Sequence, residues 1–433
     1  MISRSSLVVS ALALVALGGN AWSQTPPPPE APPPPPDMSV PPAAAAPMAP
    51  MAPPGAIDIA PPPPPPAGPP SFKLEAGPGN TLKLGLLLQP QFQSLGNNGL
   101  SGNSYNLFIR RTRFLVGGTV LGVFDYFFET DYPNLFLASN EGPTAAGAPA
   151  MTAKNTPGMN IQDAFITWKP LEGPMKDWLK IDAGYMLPPL AHNAVQSAGT
   201  LYSWDYFMFS FSYLGAAGTN LGAAGNAIGR DLGVEARGLV LDGRLEYRIG
   251  LFQGLRVAET PVAAPTTVGS NNFFAIAGRL QLNILDAEPG FFYAGTYLGK
   301  KKILSFGISG ETQDPFHYYY VAGDGFADLP VGPGVFTAQV NVARWNGGTF
   351  ATAMPKQTAV MSEIGFNFNL MISPIARIEY LWGPANIYHM GGGLAFWPFG
   401  HTSNLKAFYT RNWEQGTLHA DNQVNLQWQL FFF

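Results

Sequence analysis

Cysteine is absent from the chain, so disulfides, thiol nucleophiles and thiolate metal sites are all excluded. Without it, no lipid-modified N-terminus is expected either. Charged residues are scarce, at 12%, and the formal net charge is −4. That excludes the basic surface on which a nucleic-acid partner depends. No apolar run approaches the length that a bilayer-spanning helix needs. Nucleophile elbows, Walker loops and dinucleotide fingerprints are missing as well. The five histidines, at positions 192, 317, 389, 401 and 419, include no pair at zinc-ligand spacing, so they read as loop or surface histidines. Ser403-Asn-Leu-Lys406 matches a Ser-x-x-Lys pattern, but it sits at a turn-to-strand junction and not at a helix start. No catalytic residue, metal or cofactor is expected.

Proline, by contrast, is abundant and unevenly placed. About half of the chain's 43 prolines fall between residues 25 and 71, in blocks such as Pro26–Pro29, Pro32–Pro36 and Pro61–Pro66. A Pro/Ala segment of this kind cannot build a core and favours a semi-rigid polyproline II spacer. Ahead of it, Met1–Ser23 has a signal-peptide pattern: Arg4, a short apolar stretch from Leu7 to Leu17, and small residues at Ala21-Trp22-Ser23. The expected organisation is a signal at 1–23, a disordered periplasmic linker at 24–71, and one folded domain at 72–433.

The folded part alternates with period two. Leu82, Leu84, Leu86 and Leu88 alternate with Lys83, Gly85 and Gln89. Phe124, Tyr126 and Phe128 oppose Asp125 and Glu129, while Leu245, Tyr247, Ile249 and Leu251 oppose Arg244, Glu246 and Arg248. Near the end, Val424, Leu426, Trp428, Leu430 and Phe432 oppose Gln423, Asn425, Gln427 and Gln429. Each of these is a strand with one apolar and one polar face. A soluble sandwich turns its polar faces to bulk water. Here about 16 such strands carry mid-strand charges that could line a shared lumen, which predicts an all-β fold, a transmembrane antiparallel barrel. A last strand ending in phenylalanine looks like the closing strand of a bacterial outer-membrane barrel, whose terminal aromatic sits at the lipid interface and serves the barrel-assembly machinery as a signal. Phe433 itself falls one residue out of register with the apolar face.

Loop lengths should alternate between the two ends of such a barrel. The gaps 133–160, 187–230 and 254–271 read as external loops. Short periplasmic turns are expected near Gly118, Asp242-Gly243 and Ile372–Pro374. The gap 285–301 is long on the wrong side, and nothing in the sequence accounts for it.

Several stretches then resemble one family. They are Phe108–Gly118 followed by Phe124–Asp131, Asp163–Pro170, Gly229–Val234, and Gly392–His401 with Asn404–Arg411. In this order they resemble the phosphate-selective porin O and P family of Gram-negative outer membranes, over residues from about 80 to 433. The resemblance implies a 16-stranded porin, usually a homotrimer in outer-membrane lipid, with long loops folded into the pore and lumenal arginines and lysines that favour phosphate. Arg111 and Arg113 match its Arg-rich second strand. Where the family typically has Gly-Gln-x-Lys-x-Pro, this chain reads Gly184-Tyr-Met-Leu-Pro-Pro189, and Leu187 replaces the lysine.

The candidate pore-lining basic residues are Arg111, Arg113, Lys169, Lys180, Arg244, Arg248, Arg279, Arg377 and Lys406. The acidic candidates are Asp125, Glu129, Asp131, Glu246, Glu363 and Glu379. Tyr202, Trp204, Tyr206 and Phe207 mark a loop expected to fold inward as a constriction. Acids offset the cations, so the expected function is passive diffusion of small solutes with weak anion preference. The alternative is a structural anchor tied to the cell wall through the proline segment.

Overall fold

The computed structural model describes residues 71–96, 103–137, 158–206, 229–254, 273–314, 317–348, 356–383, 386–414 and 421–433. The expected signal, and the linker up to residue 70, lie outside the described residues. The first strands are β1 (Phe72–Glu75), β2 (Thr81–Gly96), β3 (Asn103–Val120), β4 (Phe124–Asp131), β5 (Asn160–Trp168) and β6 (Lys180–Met186). Then come β7 (Asp231–Val240), β8 (Leu245–Phe252), β9 (Ala275–Asn283), β10 (Ile303–Gln313), β11 (Tyr318–Val331) and β12 (Gly334–Asn346). The series ends with β13 (Gln357–Phe368), β14 (Ile372–Trp382), β15 (Ile387–Phe396), β16 (Ser403–Glu414) and β17 (Asp421–Phe432).

From β2 to β17 each strand pairs antiparallel with the next, and β17 pairs back onto β2, with Leu426 opposite Phe92. Sixteen strands therefore close into a ring without a free edge. The short β1 lies outside that count. It pairs with Thr81–Leu84 of β2, beyond the stretch that β17 covers.

Alternation decides the two faces. Phe114, Ile166, Val234, Ile249, Leu280, Ile308, Ile378 and Trp428 point outward and are exposed. Their neighbours Arg113, Thr167, Glu235, Arg248, Arg279, Gln281, Arg377 and Gln427 point inward and are buried. In water such an outer wall would be costly. In hydrocarbon it is the favoured surface, and the closed ring leaves no strand-edge backbone group unpaired against lipid.

The tight connections gather at one end: 121–123, 241–244, 332–333 and 369–371. At 241–244 the sharp reversal uses Gly243 at φ 81°, a conformation that glycine adopts without strain. Two turns lie a few residues away from where alternation put them. The β3–β4 turn falls after Gly118, and the β13–β14 turn ends before Ile372, because the strands run on past the last clearly alternating residue. The long 284–302 connection is at this same end. The longest connection, 187–230, is at the opposite end.

The last residue departs from the terminal-aromatic pattern. Phe433 turns inward, its ring edge-on to Phe127 at 5.5 Å. Phe432 is the residue whose parity puts it on the outer face, as the register in β17 requires.

Two outcomes check this architecture. Ile249→Arg, in the middle of β8 on the outer wall, should cost about 2–4 kcal/mol if it lies near the bilayer midplane, read as a lower unfolding midpoint in lipid vesicles; Ile249→Leu should not. Deleting residues 421–433 opens the β2 edge and should abolish the heat-modifiable folded band on a gel.

Candidate functional site: the barrel lumen

Two inner segments occupy the lumen. The first, Leu187–Tyr206, leaves β6 and is buried along almost its whole length. Its partners lie on strands around the ring. The His192 amide donates to Asp324 on β11 (3.1 Å), and the Asn193 amide donates to Asn341 on β12 (3.1 Å). Lys406 on β16 donates to the Leu201 and Ser203 carbonyls (2.6 and 2.9 Å). Gln429 on β17 donates to the Gly199 carbonyl (2.8 Å), and Arg377 on β14 donates to the Ser203 hydroxyl (2.6 Å). Only a segment threading the lumen reaches so many walls. Gly199 makes one approach possible, since a Cβ there would sit 2.7 Å from the Phe431 ring.

The second inner segment is the 284–302 connection, which explains its length. It folds inward and meets the first. The Tyr293 amide donates to the Val195 carbonyl (3.0 Å), the Ser197 amide to the Tyr293 carbonyl (2.9 Å), and the Gly295 amide to the Thr200 carbonyl (3.1 Å). Buried backbone groups need such partners. His192 locks the joint. It is fully buried and stacked between Tyr293 and Phe326, with ring centroids at 4.7 and 4.3 Å. Its Nε2 faces both oxygens of Glu288 at 3.0 and 3.2 Å. Gln196 Nε2 lies 3.0 Å from Nδ1. An amide nitrogen can only donate, so Nδ1 accepts and Nε2 carries the proton toward Glu288. Burial opposes the charge on Glu288, but His192 and Tyr297 outweigh it and hold the carboxyl below its usual range. His192 thus lies in a loop, as the sequence suggested, but not at a surface.

Most of the expected basic residues face inward and already hold an acid. Arg113 pairs with Glu129 (3.2 Å) and Asp131 (2.9 Å), Lys169 with Asp125 (2.7 Å), and Lys180 with Asp177 (2.7 Å). Arg248 pairs with Glu246 (2.6 Å), Arg279 with Asp324 (2.6 Å), and Arg377 with Glu379 and with Glu363 (3.5 Å). Lys406 has carbonyl partners and lies over the Trp397 ring at 5.1 Å. Arg244 is a correction. It is exposed in the β7–β8 turn and donates to the Asn283 and Ile284 carbonyls, because β8 begins one residue after it. Of the four aromatic loop residues, Tyr202, Trp204 and Tyr206 lie in the first inner segment, and Phe207 lies outside the described residues.

Sequence reasoning missed the residue where the inner segment grips β3. Asp205 receives Arg110 Nε at 2.9 Å and also Arg111. Both arginines reach it because β3 carries one extra residue opposite β2 between Leu88 and Pro90. Such a bulge re-aims a side chain that strict alternation sends outward. Burial disfavours the Asp205 charge, yet Arg110 and Arg111 keep its carboxyl well below the usual carboxylate range. Arg230 with Asp163 (3.2 Å) and Arg237 with Asp182 (2.6 Å) were also missed, as was Lys83, which has no ion pair among the described residues.

Among the described residues, two chambers adjoin the inner segments. The larger, of about 410 Å³, lies toward the short-turn end between β2–β7 and the inner segments. The smaller, of about 180 Å³, is bounded by Trp204, Arg377, Glu379 and His389. Tyr206 lines both, with Asp205 on the side of the smaller.

Fold and lumen together define a class: a closed 16-stranded β-barrel with an apolar exterior and an inner wall of ion pairs. No family model matches the chain, and no curated protein matches it. Among solved structures, the outer membrane channel DcaP of Acinetobacter baumannii is similar over 83% of this chain and 99% of its own, at 10% identity and a TM-score of 0.49. The anion-selective porin from Comamonas acidovorans covers 82% and 100%, at 11% identity and a TM-score of 0.49. OmpT of Vibrio cholerae covers 83% and 100%, at 9% identity and a TM-score of 0.48. At such scores these are likenesses of outline, and the barrel rests on its own strand pairing.

Asp205→Ala should cost about 3–5 kcal/mol, the usual effect of stranding one side of a buried ion pair. A lower denaturation midpoint, together with faster proteolysis inside residues 187–206 of the folded protein, would be the expected result.

Proposed function

We propose that the chain is an outer-membrane porin through which small solutes diffuse passively, with its narrowest point at Asp205–Tyr206. The observation that carries this reading is the closed ring itself, apolar outside and charged inside. Such a wall suits lipid on one face and water with dissolved solutes on the other. The resemblance to phosphate-selective porins, the cleaved signal and the homotrimer belong to the same proposal, whereas a linker tied to the cell wall belongs to the alternative, a structural anchor.

Selectivity follows from charge pairing. A fixed cation raises local anion concentration when its field is not cancelled nearby. Arg113 faces Glu129 and Asp131, and Arg111 faces Asp205. Their net field is small, so anion preference is weak and phosphate gains little over chloride. In this reading the larger chamber, bounded by the β2–β7 wall, lies on the conducting path.

Single-channel recording tests both statements. In a KCl gradient the reversal potential should be slightly anion-selective and nearly unchanged by phosphate. Asp205→Asn frees two guanidiniums and should raise anion selectivity at low salt. The gain should fade near 1 M salt, where the screening length is about 3 Å. A folded, inserted protein without conductance would favour the anchor reading.

A further inference from the structure

The larger chamber is built unlike the rest of the lumen. Around its waist the rings of Phe127, Phe165, Phe291, Phe292 and Phe433 form a collar. Phe127 meets Phe165 at 5.6 Å, and meets Phe292 and Phe433 at 5.5 Å each. Phe165 meets Phe291 at 4.4 Å, and Phe291 meets Phe292 at 4.9 Å. Several of these contacts are edge-to-face, the packing that aromatic rings prefer among themselves. The Phe433 ring is seated by two glycines. A Cβ at Gly85 would lie 2.7 Å from it, and one at Gly117 would lie 2.8 Å from it.

Lys83 stands beside this collar, its Nζ 5.8 Å from the centre of the Phe433 ring. Other cations of the chamber wall hold carboxylates: Arg113, Lys180, Arg230 and Arg237. Lys83 holds none among the described residues. The chamber therefore offers phenyl edges, with the Phe291 face covered by Arg237 and Arg248 at 5.5 and 5.7 Å, and beside them one cation, Lys83, that holds no acid among the described residues. Its volume, about 410 Å³, lies within the range of small-molecule sites, roughly 300–1,000 Å³.

We propose that this chamber is a binding site for small molecules with a flat apolar ring and a single carboxylate, the ring in the phenylalanine collar and the carboxylate at Lys83. The assignment deepens the channel reading, on which its meaning for transport rests. A strongly hydrated anion such as phosphate is a poor occupant, because phenyl edges cannot replace the water it would lose. A neutral aromatic fills the collar but leaves Lys83 unused. A dianion finds only one free cation.

The test uses the folded full chain in detergent and benzoate as the probe, with benzyl alcohol and inorganic phosphate as comparators, by calorimetric titration. Benzoate should bind several-fold more tightly than either. Lys83→Gln should bring benzoate down to the level of benzyl alcohol, and Lys83→Arg should restore it. Phe292→Ser, on the inner segment and away from the ring of strands, should weaken benzoate and benzyl alcohol alike. Phosphate binding as tightly as benzoate, or benzoate affinity unchanged in Lys83→Gln, would overturn the assignment. Planar-bilayer conductance is read separately. Benzoate binding without conductance removes the channel reading and leaves the site standing. Conductance without benzoate binding does the reverse.

Discussion

Everything in this molecule depends on backbone hydrogen bonds that have no water to fall back on. In a hydrocarbon environment an unpaired N–H or C=O costs several kcal/mol, so a sheet there must close on itself. Closure makes the outer wall apolar and confines the polar half of every strand to the interior. The alternation of leucine with glutamine in β17, and of isoleucine with arginine in β8, is the sequence form of that one constraint.

A ring of sixteen strands encloses more room than its own side chains fill. This chain fills part of it with backbone, from both ends. The inner segments bring carbonyls and amides that need partners, and the wall supplies Arg279, Arg377, Lys406, Gln429 and Asp324. The same wall charges that would otherwise face the lumen bare are held by acids. Charge and packing are thus coupled: a cation that grips an inner segment has little field left over for the rest of the lumen.

The barrel was legible because period two is a strong signal when it recurs along the whole chain. Strand number and inward arginines such as Arg113 and Arg279 follow from it, while the inward loop around Tyr202 was legible from its length and its aromatic residues. What alternation cannot reveal is where it breaks. Arg110 faces inward only because of a bulge, which a face-by-face reading misses. Asp205, His192 and Glu288 sit on irregular segments with no period to read, and their partners are distant in sequence. Arg244 erred the other way, since parity carried one residue past the end of the strand. Lys83 was visible as a polar residue among leucines, but its lack of an acid is a property of three-dimensional neighbours.

The short β1 strand acquires a meaning from the order in which contacts can form. The seam between β17 and β2 joins residues such as Gln89 and Gln429, 340 positions apart. Contacts of that span are late and slow, because the chain must lose much freedom before they form. Until then β2 is a bare edge, open to pairing with any other strand. The β1 hairpin is local and can fold at once over Thr81–Leu84. It leaves open only the stretch of β2 that β17 will take. The β1 hairpin therefore continues the line of the closing strand along β2, and covers the end of that edge which β17 does not reach.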